Sequence, residues 1–225
     1  MSEYILQARN LSKTVMVADQ QLTILHELSL SLKSGDSLAI VGRSGSGKST
    51  LLGLLAGLDL PSTGEVLLTG HNLGELDEDR RAALRAAEVG FVFQSFQLLD
   101  SLTALENVML PLELKQRKDA RERARELLQQ VGLEHRTGHY PRQMSGGEQQ
   151  RVAIARAFAA EPNILFADEP TGNLDSETGE RITDLLFQLN HAHATTLVLV
   201  THDERLAKRC ARQIRLESGR LTEQN

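Results

Sequence analysis

A glycine-rich stretch between two apolar runs is the part of the sequence best suited to bind phosphate. It consists of Gly42, Arg43, Ser44, Gly45, Ser46, Gly47, Lys48, Ser49 and Thr50. Residues 38–41 before it and 51–56 after it are mostly apolar, which indicates a strand, a loop and a helix in that order. Glycines let backbone N–H groups turn toward an anion, and the helix N-terminus adds a positive dipole end. The spacing G-x-x-x-x-G-K-S therefore predicts a P-loop.

Two side chains of this loop indicate how a nucleotide and a metal ion would be held. Lys48 can place a positive charge on the β- and γ-phosphates. The hydroxyl of Ser49 is a hard oxygen ligand of the kind that Mg²⁺ prefers. A glycine turn that merely caps a helix is the alternative, but the four fixed positions in a strand–helix context favour the P-loop.

An acidic pair, Asp168 and Glu169, directly follows the apolar run 164–167. Ligands of open α/β sheets bind at the carboxyl ends of strands, and Val41 enters the P-loop at such an end. We therefore expect both sites to share one edge of the sheet. Asp168 is assigned to the metal and Glu169 to the general base that deprotonates the attacking water. A functionless acidic pair at a strand end is the alternative, which the neighbouring P-loop disfavours.

A second stretch, Ser145, Gly146, Gly147 and Glu148, has the composition of another anion-binding helix start. Ser145 is a good N-cap, and the two glycines leave backbone N–H groups free in front of the helix. A plain helix cap is the alternative interpretation. The chain thus contains two candidate sites for negatively charged groups.

The elements around these residues predict an α/β fold with a mainly parallel core sheet and helices on both faces. Two antiparallel strands at 5–11 and 22–32, joined by a loop over 13–21, precede the core. Further strands are predicted at 37–41, 65–70, 89–93, 164–167, 197–200 and 214–216, and helices at 48–58, 77–87, 104–108, 119–131, 147–160, 177–191 and 204–210. Pro111 and Pro141 are expected to separate helices, and residues 219–221 to form a turn. We predict one domain over 1–225, in which 1–94 and 161–225 form the core with its antiparallel β part and 95–160 an inserted helical subdomain.

Composition restricts the classes of function. The 225 residues carry a net charge of −5, which argues against broad nucleic-acid binding. The single cysteine, Cys210, excludes an internal disulfide and fits a reducing compartment. Residues 1–10 lack the pattern of a signal peptide, and no apolar run approaches the ~18 residues that a membrane span needs. We expect a soluble protein that reaches a membrane only through a partner.

Four motifs together resemble the ATP-binding subunit of ABC transporters. The P-loop, S-G-G-E-Q-Q-R, L-F-A-D-E-P-T-G-N-L-D and V-T-H-D occur in this order over nearly the whole chain. The resemblance implies a P-loop NTPase with an ABC-type nucleotide-binding domain, which hydrolyses ATP with Mg²⁺. It also implies a head-to-tail homodimer on ATP binding, with each ATP between the P-loop of one subunit and Ser145, Gly146 and Gly147 of the other.

The resemblance also implies roles for single residues. Gln94 matches the glutamine that senses Mg²⁺ and the attacking water, and His202 the histidine that reaches the γ-phosphate. The segment 173–175 matches the loop that crosses the dimer interface. Glu148 replaces the usual glutamine, with little expected effect. Val15 occupies the position of an aromatic residue that stacks on adenine in many members, so we expect weaker and less base-selective aliphatic contact here.

Residues 90–99 and 102–108 resemble the lipoprotein-releasing and macrolide-export branch, and within it the YbbA-type ATPases. Such proteins pair with an integral-membrane permease that carries a large extracytoplasmic domain. The resemblance implies a cytoplasmic protein held at the inner membrane by that permease, for export or extraction of a lipophilic substrate or for mechanical signalling. The alternatives are an ATP-dependent regulatory switch without transport and a soluble ATPase acting on nucleic acid or ribosomes. The latter usually has coiled-coil insertions or duplicated domains, which this sequence lacks.

Apolar residues follow Gln94 in a segment that we predict to be a loop: Phe96, Leu98, Leu99 and Leu102. They would either pack under the helical lobe or form an apolar groove that receives a short permease helix. We favour the groove, with Leu98 and Leu99 lining it and Phe96 partly buried beneath.

Overall fold

The computed structural model describes residues 3–224, which form two sheets and seven α-helices. The strands are β1 (Tyr4–Val17), β2 (Gln20–Lys33), β3 (Ser37–Val41), β4 (Thr63–Leu68), β5 (His71–Asn72), β6 (Val89–Phe93), β7 (Ile164–Asp168), β8 (Thr196–Thr201), β9 (Arg212–Glu217) and β10 (Arg220–Gln224). The helices are α1 (Lys48–Leu55), α2 (Glu78–Glu88), α3 (Ala104–Leu114), α4 (Ala120–Gln130), α5 (Gly146–Ala159), α6 (Ser176–Ala192) and α7 (Glu204–Ala207). Three single 3₁₀ turns cover Leu73–Glu75, Glu134–Arg136 and Pro141–Gln143.

The core sheet has the strand order β10-β9-β3-β8-β7-β6, and all its neighbours are parallel except β10 and β9. The predicted α/β class with a mainly parallel core is therefore confirmed. Its register aligns the strand ends: Val41 lies opposite Thr201, and Asp168 lies between Phe93 and Val200. The loops that follow β3, β6, β7 and β8 consequently leave the sheet at one edge.

The two faces of this sheet bury different partners. Leu38 and Ile40 pack in the cluster that contains the apolar side of α1 and the second sheet. Ala39 and Val41, which point the other way, pack in the cluster that contains α5 and α6. Helices cover both faces, as predicted, and α1 is held between the two sheets.

The second sheet has the order β2-β1-β4-β5 and is antiparallel. The loop predicted over 13–21 is wrong, because β1 continues to Val17 and β2 starts at Gln20. The connection is a two-residue turn, in which Ala18 and Asp19 have φ of 44° and 65°. Register shifts near Leu11 and Lys13 interrupt the alternation of apolar residues that would have indicated a continuous strand.

The described residues between Gln94 and Phe158 contain helices and no strand, as predicted. The expectation that Pro111 separates two helices is wrong, since α3 runs through it to Leu114. Leu105, Val108 and Leu112 of α3 are buried against α4 and α5. This packing outweighs the hydrogen bond that a proline removes from a helix interior.

Smaller differences concern element ends. Helices α1 and α7 stop three residues before their predicted ends, and residues 220–224 pair with β9 as a strand where a turn was expected. Among the described residues, no helix combines the length and the apolar character needed to cross a bilayer.

Candidate functional site

The P-loop connects β3 to α1 and has a backbone that depends on glycine. Gly47 caps α1 with φ of 100°, and a Cβ at this position would lie 2.8 Å from Leu25 Cδ2. The side chain of Lys48 is buried, and its Nζ donates to the carbonyl oxygen of Arg43 at 3.0 Å. The lysine charge is thus held against the P-loop backbone, in the cleft where phosphates would bind.

Asp168, the last residue of β7, lies beside Ser49 at the start of α1. Burial raises the pKa of Asp168, and the hydrogen bond with Ser49 and the charge of Lys48 oppose that rise. A hydroxyl and a half-buried carboxylate form a hard oxygen donor set that fits Mg²⁺. Within residues 3–224, no three His, Cys, Asp or Glu side chains form a metal cage. Since Mg²⁺ commonly takes one or two protein oxygens and completes its shell with phosphate and water, these donors are sufficient.

Glu169 follows on a strained turn that points its carboxylate toward His202. The φ of Glu169 is 44°, in the left-handed region, which a glutamate rarely adopts. Its backbone N–H donates to Val200 O at 2.9 Å, and its carbonyl accepts from Gly172 N at 3.0 Å. His202 Nδ1 donates to Glu169 Oε2 at 2.9 Å, so the histidine orients the carboxylate. This pairing is the geometry expected of a positioned base.

Gln94 leaves the end of β6 and pairs with Asn173. Gln94 Nε2 donates to Asn173 Oδ1 at 3.1 Å, and Asn173 Nδ2 donates back to Gln94 O at 2.9 Å. Gly172 permits this approach, since a Cβ there would lie 2.8 Å from Gln94 Nε2. The two loops are therefore joined at the sheet edge.

These residues line one open cleft of about 910 Å³. Its walls include most of the P-loop and all four polar residues predicted from other motifs: Arg43, Ser44, Gly45, Gly47, Lys48, Ser49, Thr50, Gln94, Asp168, Glu169 and His202. Gly42 and Ser46 belong to the same loop but do not line the cleft. Among the predicted residues, the cleft thus brings together positions as far apart in the sequence as Arg43 and His202.

Two lining residues, Leu22 and Ile24 on β2, were missed in the sequence. Val15, expected at the adenine, does not line the cleft but lies opposite Leu22 in the β1–β2 ladder. Opposed residues share a face of the ribbon, so Val15 and Leu22 form one aliphatic surface beside the P-loop. The signal that could have revealed Leu22 and Ile24 is the alternation of apolar and polar residues within the predicted strand 22–32. The role of Val15 stays a prediction.

The stretch Ser145–Glu148 begins α5 with a capping box. Ser145 Oγ accepts from Glu148 N at 3.3 Å, and Glu148 Oε2 accepts from Ser145 N at 2.8 Å. This backbone N–H lowers the pKa of Glu148, and Arg136 Nε lies 3.0 Å from its other carboxylate oxygen. The glutamate is therefore held as an anion at the helix start.

This helix start lines a separate cleft of about 410 Å³, together with Asn173, Leu174 and Asp175. None of its lining residues lines the P-loop cleft. One chain therefore presents two separate candidate anion-binding surfaces, and the surface at Ser145 does not line the P-loop cleft of its own chain.

The chain is similar to proteins of one known family. A family model described as "ABC transporter" matches residues 25–172. The chain is 55% identical over 225 residues to the "uncharacterized ABC transporter ATP-binding protein YbbA" of Escherichia coli strain K12, with 99% of each chain covered. The protein of the same name in Shigella flexneri is equally similar.

Solved structures show the same likeness. A dimeric post-hydrolysis structure of the ATP-binding cassette MJ0796 with ADP and Pi matches with a TM-score of 0.91 and 43% identity, covering 98% of this chain and 97% of that one. CbiO1 of Clostridium perfringens, part of the ABC transporter complex CbiONQ, matches with a TM-score of 0.87 and 28% identity, covering 100% of this chain and 89% of that one.

Proposed function

The chain belongs to the ABC transporter family as an ATP-binding cassette and is an ATPase, and from this premise we propose that MgATP closes a head-to-tail homodimer whose reopening after hydrolysis drives a membrane permease. The family predicted from the four motifs is confirmed, as is the similarity to YbbA. The observation that carries the proposal is the separation of the P-loop cleft from the Ser145 surface. A second copy can bring its Ser145 surface over the first copy's P-loop, as a head-to-tail dimer requires.

The residues of the cleft have different roles in ATP hydrolysis. The P-loop amides and Lys48 bind the phosphates, and Ser49 and Asp168 would hold Mg²⁺, which would supply positive charge against the phosphates. Glu169 accepts a proton from the attacking water, and His202 keeps its carboxylate oriented while facing the γ-phosphate. Gln94, joined to Asn173, orients the same water.

The aliphatic surface at Val15 gives a prediction about nucleotide affinity. Val15→Tyr should lower the Kd for ATP about fivefold, because stacking on adenine adds about 1 kcal/mol beyond area burial. The gain should be smaller for a pyrimidine nucleotide such as CTP. Equilibrium titration with ATP and with CTP measures the two Kd values. Met16→Tyr, on the opposite face of the same ribbon, is the matched control. Equal Kd values for ATP in Val15→Tyr and wild type would contradict the assignment.

The permease contact is assigned to the surface around the loop after Gln94. Asn107 fixes this loop: its Nδ2 donates to the carbonyls of Leu99, Leu102 and Thr103, and its Oδ1 accepts from Leu99 N. Leu99 is 47% exposed, whereas Leu98 packs against the core and Phe96 is half-buried. We therefore assign Leu98 to the support of this surface and Leu99 to its exposed apolar contact.

A groove of about 540 Å³ runs beside this loop in the helical region. Its lining includes the apolar residues Leu102, Leu105, Met109 and Leu110 and the charged residues Glu106, Glu113, Arg121 and Arg125. Leu98 and Leu99, which were expected to line a groove, do not line this one. An amphipathic helix with one apolar face and charges of both signs would match such a groove. We assign it to a short cytoplasmic helix of the permease.

Leu99→Glu should abolish co-purification with the permease from detergent-solubilised membranes. ATP hydrolysis by the isolated subunit and its Tm should stay near wild type, because Leu99 is exposed and its loop is held by Asn107 backbone contacts. Leu114→Glu is the matched control, since Leu114 is 75% exposed and lies at the end of α3, outside the loop that follows Gln94. A large fall in Tm for Leu99→Glu would show that Leu99 belongs to the core, and the permease surface would have to lie elsewhere.

The permease would carry the large extracytoplasmic domain, and the chain would lie on the cytoplasmic face of the inner membrane. Export or extraction of a lipophilic substrate, or mechanical signalling, then follows from what that permease does. An ATP-dependent switch without transport uses the same ATPase and is the second candidate. Identifying the membrane protein that co-purifies, and then measuring ATP-dependent substrate movement by the reconstituted pair, separates the two.

A further inference from the structure

Gln150 of α5 is a fully buried polar side chain that the mechanism above does not use. Its Nε2 donates to the carbonyl oxygen of Pro170 at 2.6 Å. Its Oε1 has no hydrogen-bond partner among the described residues. Because a carbonyl oxygen can only accept, the amide nitrogen must be the atom that faces Pro170. A buried amide with one oxygen unsatisfied is unfavourable for stability, so its presence calls for an explanation in function.

The hydrogen bond from Gln150 reaches the turn that orients Glu169, the proposed general base. Pro170 directly follows Glu169, whose left-handed backbone is otherwise held by contacts with Val200 and Gly172. A residue in such a sparsely populated conformation persists only where several contacts fix it together. The hydrogen bond from Gln150 to Pro170 adds a contact from helix α5 to this turn.

The same helix also holds the loop that follows Gln94. Arg156, which also lies on α5, donates from Nη1 to Gln97 O at 2.6 Å and from Nη2 to Phe96 O at 3.0 Å. Phe96 and Gln97 both have left-handed φ, of 60° and 49°. Helix α5 therefore contacts two strained loops of the P-loop cleft, while its first turn forms the Ser145 surface.

We propose that Gln150 is a positioning residue for Glu169, connecting the Ser145 end of α5 to the turn that aims the catalytic carboxylate. The inference rests on the proposed shared-site dimer, in which Ser145 contacts the nucleotide on the partner's P-loop and Glu169 serves the nucleotide on its own. Displacement of α5 by one nucleotide then changes the position of Pro170, and with it the base at the other nucleotide. Gln150 itself touches neither nucleotide.

Gln150→Met tests this role, because methionine keeps the length of the side chain and removes the donor. We expect kcat to fall at least about tenfold while KM for ATP changes less than about threefold, since only the orientation of the base is lost. Gln149→Met is the matched control: Gln149 is the neighbouring residue, and its amide donates to Met144 O at 3.1 Å, away from the catalytic turn. Its kcat should stay near that of wild type.

A double-variant cycle separates positioning from a general structural effect. In a Glu169→Gln background, adding Gln150→Met should lower the residual turnover less than about twofold, because its effect passes through the carboxylate already removed. ATP-dependent dimerisation of that double variant should match Glu169→Gln alone. A multiplied loss of turnover, or a lost dimer, would overturn the positioning role.

If Gln150→Met proves too unstable to measure, Gln150→Leu provides the second variant, since a leucine side chain also cannot donate to Pro170. Its kcat should show the same fall, and a wild-type kcat in either variant would overturn the proposal. A wild-type chain that hydrolyses ATP without dimerising would contradict the shared-site dimer instead, so the two failures are distinguishable.

Discussion

Glu169→Gln is expected to bind MgATP and hydrolyse it at least about 100-fold more slowly than wild type, because a positioned base contributes about 10²–10⁴ in rate. In the wild type, His202 Nδ1 donates to the carboxylate at 2.9 Å, and the amide oxygen of the new glutamine side chain can still accept this hydrogen bond. Orientation is thus kept and only proton acceptance is lost. Since hydrolysis reopens the dimer, ATP should trap this variant as a dimer. Single-turnover hydrolysis and size-exclusion chromatography with ATP measure the two effects.

Glu122→Gln is the control for the change of charge, since Glu122 is exposed on α4 and lines neither nucleotide-binding surface. It should hydrolyse ATP at the wild-type rate and show no trapped dimer. Turnover like that of wild type in Glu169→Gln would remove Glu169 from the role of base. The carboxylate of Asp168 would then be the next candidate, although the structure places it beside Ser49.

The sequence was sufficient to predict the sheet edge that carries the site. Short apolar runs before Gly42, Asp168 and His202 indicate buried parallel strands, and such strands end together. The register places Val41 opposite Thr201 and Asp168 opposite Val200, as that rule requires. The sequence pattern could not predict that the side chains of Glu169 and His202 come within hydrogen-bonding distance. That hydrogen bond depends on the left-handed backbone conformation of Glu169.

The sequence was least informative where tertiary contacts override local signals. The β1–β2 ribbon turns at Ala18 and Asp19, a pair without the glycine that usually marks a two-residue hairpin. The helix α3 passes Pro111 because its neighbours bury the surrounding residues. Gln150 and Arg156 belong to a helix that was predicted, but their partners lie 20 and 59–60 positions away, a relation that periodicity along one helix does not show.

Ser145→Arg should leave ATP binding to the P-loop of the isolated chain intact and abolish both dimerisation and hydrolysis. The substitution puts bulk and positive charge at the helix start where the partner's γ-phosphate would bind, in a cleft separate from the P-loop. It also removes a cap that contributes about 1 kcal/mol. Asp77→Arg controls for that loss: Asp77 caps α2 by accepting from Arg80 N at 2.8 Å, outside both clefts. The control should still dimerise with ATP.

Mixing Ser145→Arg with Lys48→Ala then tests whether the sites are shared between subunits. Each variant alone should be inactive, because every dimer of identical chains has two defective sites. A mixed dimer has one site with both defects and one with neither, since the intact Lys48 and the intact Ser145 come from different chains. Random mixing in equal amounts should therefore restore up to about a quarter of the wild-type activity, as half the dimers contain one intact site each. If each site were built from a single chain, the mixture would stay as inactive as its components, and the shared-site dimer would be wrong.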